Sequence, residues 1–252
     1  MSNETVLQVE NLVVEYSSKE GAVRAVNGVS FEVRAGECVG FIGPNGAGKS
    51  STMKALMGFL FPASGKVSVF GKPAGEVESK LRIGYLPEVT LYYPFLKATE
   101  LLRLYGGLQR VPRATLDQRI PFLLEEVGLK DVGNKLIRNY SKGMQQRLGI
   151  AQALIAEPEC LIFDELSSGL DPVGRHDLRR VLVGLKEKGV TLFFSSHELY
   201  EVEALCDRVI AINHGKVLFD LSLDALRKEA GDQGLEAYFM SRVQEQDAAC
   251  VS

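Results

Sequence analysis

The apolar run Cys38-Val39-Gly40-Phe41-Ile42, followed at once by Gly43-Pro44-Asn45-Gly46-Ala47-Gly48-Lys49-Ser50-Ser51, constrains this chain more than any other feature. Met53, Leu56 and Met57 come next at helical spacing, so the order reads strand, glycine loop, helix. Gly43 and Gly48-Lys49-Ser50 stand at the spacing of a phosphate-binding loop, in which glycines let backbone N–H groups wrap a triphosphate. Each residue type has a physical task there. Lys49 is expected to bring an ammonium to the β and γ phosphates, and Ser50 to hold Mg²⁺. The helix opening near Gly48 would direct the positive end of its dipole at the anion.

The remaining pattern agrees with a nucleotide-binding α/β fold. Strand-sized runs occur at residues 7–14, 23–33, 38–42 and 66–70. Between about residues 94 and 155 the apolar residues take helical spacing, as in Leu101, Leu102 and Tyr105, then Leu116, Ile120, Leu123 and Leu124, which predicts an inserted helical segment. Strands return at 160–163, 190–194 and 208–212, separated by helical stretches at 174–186 and 198–206. This alternation predicts a parallel sheet with helical crossovers. After Asp220 the chain reads as one or two short helices.

Composition narrows the function classes. The 252 residues carry 29 Lys plus Arg against 32 Asp plus Glu, a net charge of −3, which argues against a broad nucleic-acid surface. Every apolar run is strand-sized, so the chain is not expected to cross a bilayer by itself. Met1 to Thr5 has neither the basic nor the apolar part of a secretory leader, so export is not expected. Cys38, Cys160, Cys206 and Cys250 lack Cys-x-x-Cys spacing and read as reduced thiols.

A second constellation is the strand Cys160-Leu161-Ile162-Phe163 ending in Asp164-Glu165. Neighbours on a strand point to opposite faces, so the two acids are expected to divide their work. Asp164 would orient Mg²⁺ and its waters, and Glu165 would polarise the attacking water. His197-Glu198 begins like a zinc-protease motif, but position 201 is Glu, so that reading fails.

With Tyr140-Ser141-Lys142-Gly143-Met144-Gln145-Gln146-Arg147, the chain resembles the nucleotide-binding subunit of ATP-binding cassette (ABC) transporters over nearly its whole length. Ser141 and Gly143 match the family's signature stretch; Tyr140, Lys142 and Met144 depart from its general pattern, and the Ser-Lys-Gly-Met form resembles that of bacterial ABC-2-type exporters. A Ser hydroxyl and a Gly N–H opening a helix make an anion site, and the family uses it on the partner subunit's γ-phosphate. Ser141 would also cap that helix. Ser168-Gly169-Leu170-Asp171 resembles the turn that crosses the dimer interface, with Leu166 standing where the family usually has Pro. Ser195-Ser196-His197 resembles the switch histidine stretch.

Two further positions follow from the resemblance. Tyr16 lies where the family stacks an aromatic on adenine, or is simply a strand-end tyrosine. Glu88 replaces a Gln near Mg²⁺ and is expected to face the metal or its waters. Next to it, Leu91-Tyr92-Tyr93-Pro94-Phe95-Leu96 is either core or a docking surface for a membrane partner.

The resemblance implies a P-loop NTPase core with a parallel sheet, an N-terminal antiparallel β subdomain, and a helical subdomain inserted at about 89–156 of a 1–220 ATPase domain, followed by a 221–252 tail. It implies ATP and Mg²⁺ as ligands, and a dimer that sandwiches two ATP·Mg²⁺. Lys49, Glu165 and His197 would serve hydrolysis, while residues 43–51 with Tyr16, Ser141, Gly143 and Asp171 hold nucleotide. Ser50, Asp164 and Glu88 would serve the metal. A separate integral membrane permease would be driven from the cytoplasmic face of the inner membrane. The alternatives are a soluble ABC ATPase acting on a macromolecule and the energising subunit of an importer. The first usually carries a coiled-coil insertion or a second cassette, and the Ser-Lys-Gly-Met form disfavours the second.

Overall fold

The computed structural model describes residues 4–18, 21–165, 170–196 and 198–251. An antiparallel unit opens the fold. Strands β1 (Thr5–Ser18) and β2 (Gly21–Arg34) form its long hairpin, and β4 (Ser64–Val69) and β5 (Lys72–Pro73) complete the order β2-β1-β4-β5. Val6, Leu7, Val9, Leu12 and Val14 of β1 are buried, so this sheet has an apolar inner face.

The second sheet contains β3 (Cys38–Ile42), β6 (Ile83–Leu86), β7 (Cys160–Phe163), β8 (Thr191–Ser195), β9 (Arg208–Asn213) and β10 (Lys216–Ser222) in the order β10-β9-β3-β8-β7-β6. All its neighbours are parallel except β9 and β10. Every residue of β3, β7 and β8 is buried, as covering both faces of a parallel sheet requires. Phe31 of the first sheet meets Phe41 and Phe193 of the second at centroid distances of 5.6 and 5.5 Å, which fuses the two sheets.

Helix α1 (Lys49–Leu56) follows β3, and the short α2 (Val77–Lys80) precedes β6. The stretch 89–156 holds α3 (Ala98–Leu108), α4 (Arg113–Glu126) and α5 (Lys142–Leu154), which bury Leu101, Leu102, Leu116, Ile120, Leu123, Leu124 and Leu148 together. Helices α6 (Pro172–Glu187) and α7 (Leu199–Leu205) cross between the last parallel strands. Helices α8 (Leu223–Ala230) and α9 (Gly234–Val251) end the fold.

Several elements differ from the expectation. Residue 220 falls inside β10, a strand whose mixed burial and Asp220 hide it from a search for apolar runs. The second tail helix is 18 residues long rather than short. Strand β6 is only four residues and contains Gly84, whose place is explained by packing: a Cβ there would stand 2.2 Å from the Ala153 carbonyl oxygen of α5.

Candidate nucleotide site

The loop between β3 and α1 is glycine-rich because of its own protein neighbours as well as any ligand. A Cβ on Gly43 would fall 2.3 Å from the Ile212 carbonyl oxygen of β9, and one on Gly48 would fall 2.5 Å from the Ala25 carbonyl oxygen of β2. Gly48 also has φ of 108°, a left-handed conformation that side chains resist, and it caps α1. The first turn of α1 carries no acid, so the positive end of its dipole is uncompensated by the helix itself.

A cleft of 620 Å³ opens over this helix end, lined by Asn45, Gly46, Gly48, Lys49, Ser50 and Ser51 of the loop, with Ala25, Glu88 and Glu165 opposite. Lys49 folds back so that Nζ donates to the carbonyls of Gly43 (2.7 Å) and Pro44 (3.1 Å). Burial draws its ammonium below the ordinary lysine value, against the upward pull of Glu165, Asp164 and Glu88. Pro44 and Ala47 belong to the loop frame: the Pro44 carbonyl accepts from the Ala47 N–H at 3.2 Å.

Asp164 is buried just beyond β7. Its Oδ1 accepts from Ser50 Oγ at 3.1 Å and from Ser195 Oγ at 3.0 Å. Ser195 Oγ in turn accepts the Glu165 N–H at 2.8 Å. Glu165 lies past the strand with φ of 61°, so strand alternation is not what separates the two acids. A left-handed turn aims Glu165 at the cleft, held by the Ser195 hydroxyl. Such a backbone costs on the order of 1 kcal/mol for a residue with a Cβ and persists where neighbours enforce it. Sequence reading assigned no part to Ser195, although its place at the end of β8, before Ser196 and His197, was the available signal.

The donor set fits a triphosphate with Mg²⁺. Ser50 and Asp164 supply hard oxygens side by side, and Mg²⁺ characteristically takes one or two protein oxygens with phosphate and water completing its shell. The loop, Lys49 and the α1 terminus supply the positive surroundings that the phosphates need.

The other candidates sit on elements outside the loop. The Tyr16 hydroxyl is 3.1 Å from Ser51 Oγ, so the half-exposed ring stands beside a cleft residue. Ser141 caps α5, accepting the Met144 N–H at 3.3 Å, with Gly143 in the same first turn. Neither Ser141 nor Gly143 lines the cleft of its own chain. Asp171 caps α6, accepting the Gly174 N–H at 2.8 Å, and Arg147 of α5 approaches it at 4.0 Å. His197, Leu166, Ser168 and Gly169 lie outside the described residues.

A second, more apolar groove of 540 Å³ borders the loop after β6, with Met57, Phe59, Tyr85, Leu91 and Tyr92 among its walls and Lys54 and Lys80 at its margin. The aromatic segment divides here. Tyr92 packs against the core under Gly149, where a Cβ would stand 2.8 Å from its hydroxyl, while Leu91, Tyr93 and Phe95 are exposed.

Comparison with known proteins agrees with this geometry. The model of the ABC transporter family matches residues 26–168. An uncharacterized ABC transporter ATP-binding protein of Nostoc sp. is 46% identical over 81% of this chain, which spans 62% of the relative's length. The Nod factor export ATP-binding protein I of Ralstonia nicotianae is 34% identical over 92% of this chain and 72% of its own. A solved ATP binding subunit of an ABC transporter superposes with a TM-score of 0.83 at 32% identity, covering 92% of this chain and 98% of that one.

Proposed function

Because the chain belongs to the ABC transporter family of ATP-binding proteins, we propose that it is an ATP-hydrolysing subunit that dimerises around two ATP·Mg²⁺ and drives a separate membrane-spanning exporter. The observation that carries the reading is the meeting of Lys49, Ser50, Asp164 and Glu165 at one helix end. The loop N–H groups and Lys49 would bind the phosphates, while Ser50 and Asp164 would hold the metal. Mg²⁺, when bound, would neutralise charge on the β and γ phosphates. Glu165 accepts the proton of the attacking water, and Ser195 keeps that carboxylate turned to the cleft through the Glu165 N–H.

The dimer reading rests on what lies outside the cleft. Ser141 and Gly143 offer an anion site at the start of α5, and the cleft of the same chain does not use it. A second chain facing the first brings that helix end to the γ-phosphate. The membrane reading rests on the aromatic edge of the second groove and on the described residues holding no helix long and apolar enough to span a bilayer. Attachment is then peripheral, on the cytoplasmic face, through the exposed Tyr93 and Phe95. The likeness to a Nod factor export protein supports export over import.

Mixing Lys49→Ala with Ser141→Ala chains tests the composite site. Either variant alone should be nearly inactive, and the mixture should regain activity, because a mixed dimer contains one site with both residues intact. Absence of rescue, with mixed dimers demonstrated by cross-linking, would remove the dimer reading.

A further inference from the structure

The turn between β9 and β10 lies beneath the phosphate loop. It is a two-residue hairpin turn in which His214 and Gly215 have φ of 47° and 72°, the left-handed pair that a tight hairpin demands. The Gly215 N–H donates to the Ala47 carbonyl of the loop at 3.0 Å, and the Gly215 carbonyl accepts the Asn27 N–H of β2 at 2.8 Å. A Cβ on Gly215 would stand 2.9 Å from the Ala25 carbonyl oxygen, and Ala25 is a wall of the nucleotide cleft. Two residues before the turn, on β9, the Ile212 carbonyl oxygen blocks any side chain at Gly43. The hairpin end is therefore the floor on which the loop rests.

The same turn is gripped from its other side by the last helix. Asp247 Oδ1 of α9 accepts from Asn213 Nδ2 at 3.1 Å and meets His214 Nε2 at 3.0 Å. An ionised carboxylate only accepts, so His214 Nε2 carries the hydrogen in this contact. Asn213 is 3% exposed, so loss of Asp247 leaves its amide with little access to water. At its opposite end α9 is anchored by the buried Leu235, Tyr238 and Phe239. The helix thus acts as a strut from the core to the hairpin end.

We infer that Asp247 and His214 are positioning residues for nucleotide binding: through Gly215 and Ala47 they fix the seating of the phosphate loop, so the C-terminal helix sets nucleotide affinity without touching the nucleotide. The inference rests on the reading of residues 43–51 as the phosphate site. His214 and Asp247 are largely exposed, at 64% and 51%, so their mutual contact adds little to global stability, and the cost of stranding the Asn213 amide is kept apart from affinity by working well below the melting temperature.

The test uses the full chain and a fluorescent ADP analogue, with ATP turnover measured in parallel well below the melting temperature. Asp247→Ala should weaken analogue binding and raise KM for ATP by about three- to tenfold while kcat changes less than about twofold, as expected for lost ground-state positioning. Asp247→Asn keeps an acceptor oxygen and should restore both values. The double variant His214→Ala/Asp247→Ala should be no worse than the sum of its parts, and less than additive if both act through one turn. Affinity unchanged in Asp247→Ala, an Asn variant as impaired as Ala, or a fall in kcat matching the rise in KM would each overturn the inference. Lys49→Ala is the control: full analogue binding in that variant would overturn the phosphate-site reading itself, whereas its loss isolates any failure to the strut.

Discussion

The two edges of the six-stranded sheet treat charge in opposite ways. Where the parallel strands begin, charges close on one another: Arg82 before β6 makes two bonds to Glu159 before β7, Lys186 meets Asp207, and Arg208 makes two bonds to Asp220. Asp207 also accepts the Cys38 N–H at 3.0 Å, which ties the start of β3 to β9. Where the strands end, Asp164, Glu165 and Glu88 gather around Lys49, whose own hydrogen bonds go to loop carbonyls. At the first edge these charges satisfy one another. The second collects acids beside a helix terminus and a lysine, an arrangement that a metal and phosphates would satisfy. The sheet and its strands are the same at both ends; the difference is that oppositely charged side chains close on one another at one end, whereas at the other three acids share one lysine beside a helix terminus.

If that contrast is right, substitutions at the two edges should differ in kind. The largest effect belongs to Glu165→Gln, which keeps size and loses basicity. ATP hydrolysis should fall on the order of 10²- to 10⁴-fold, the usual range for a lost general base, with nucleotide affinity and melting temperature nearly unchanged. Near-normal turnover in that variant would place the proton acceptor elsewhere, with His197 first to be examined.

Next in size is a residue that could break the comparison, because it lies close to the reactive edge yet packs inward. Tyr92 follows β6 and rests against the core, so Tyr92→Ala should lower stability by about 2–4 kcal/mol and leave hydrolysis per folded molecule intact. Tyr93→Ala, at an exposed neighbour, should stay within about 0.5 kcal/mol in stability while weakening association with membranes that contain the permease. Urea curves and vesicle co-sedimentation on both variants decide this. Equal melting behaviour would mean that the segment does not divide as its packing indicates.

What was legible in the sequence follows the same division. Residues 43–51, Asp164 and Ser141 stand out because each task is carried by a contiguous stretch with its own local geometry. Ser195, Ala25 and the turn at Gly215 do not, since their roles come from contacts across 30 residues or more, such as Ser195 with Glu165, that spacing cannot encode. Glu165 stands out in the sequence beside Asp164, but its direction comes from a left-handed backbone that no periodicity announces. Tyr92 and Tyr93 share a loop without period, so only packing separates inside from outside. Strand β10 escaped because an antiparallel edge strand with polar residues lacks the continuous apolar run of β3 or β8.

At the paired edge, the effect expected of Asp207→Ala is intermediate. Removing the carboxylate strips the Cys38 N–H of its acceptor and leaves Lys186 with only the Leu205 carbonyl of its two acceptors, a loss of about 1–3 kcal/mol by the cost of leaving a buried donor unsatisfied. KM and kcat for ATP, measured on the folded fraction, should hold. A selective change in KM without destabilisation would show that the two edges are coupled and would defeat the separation drawn above.

The smallest effect is also the sharpest test of sign. Hydrogen bonds from Arg82, and then its charge, hold the Glu159 carboxyl below its ordinary value of 4.5, with slight burial opposing. A carboxyl lowered in the folded state contributes stability that is fully present above the unfolded value and is lost as pH falls through the folded one. The pair is more than half exposed on the Glu159 side, so solvent screening limits the contribution to about 0.2–1 kcal/mol. Urea unfolding of wild type and Glu159→Gln should therefore differ by that amount at pH 7 and above about pH 5.5, and the gap should narrow as pH drops below about 4.5. Arg82→Ala should cost more than Glu159→Gln at every pH, because Arg82 also stacks over Phe70 at 3.6 Å, and that contact does not titrate with the carboxyl. A gap between wild type and Glu159→Gln that stays constant down to about pH 3.5 would mean that the ion pair adds nothing to the frame. The paired edge would then owe its rigidity to the Arg82–Phe70 stacking and to backbone contacts such as Cys38 with Asp207.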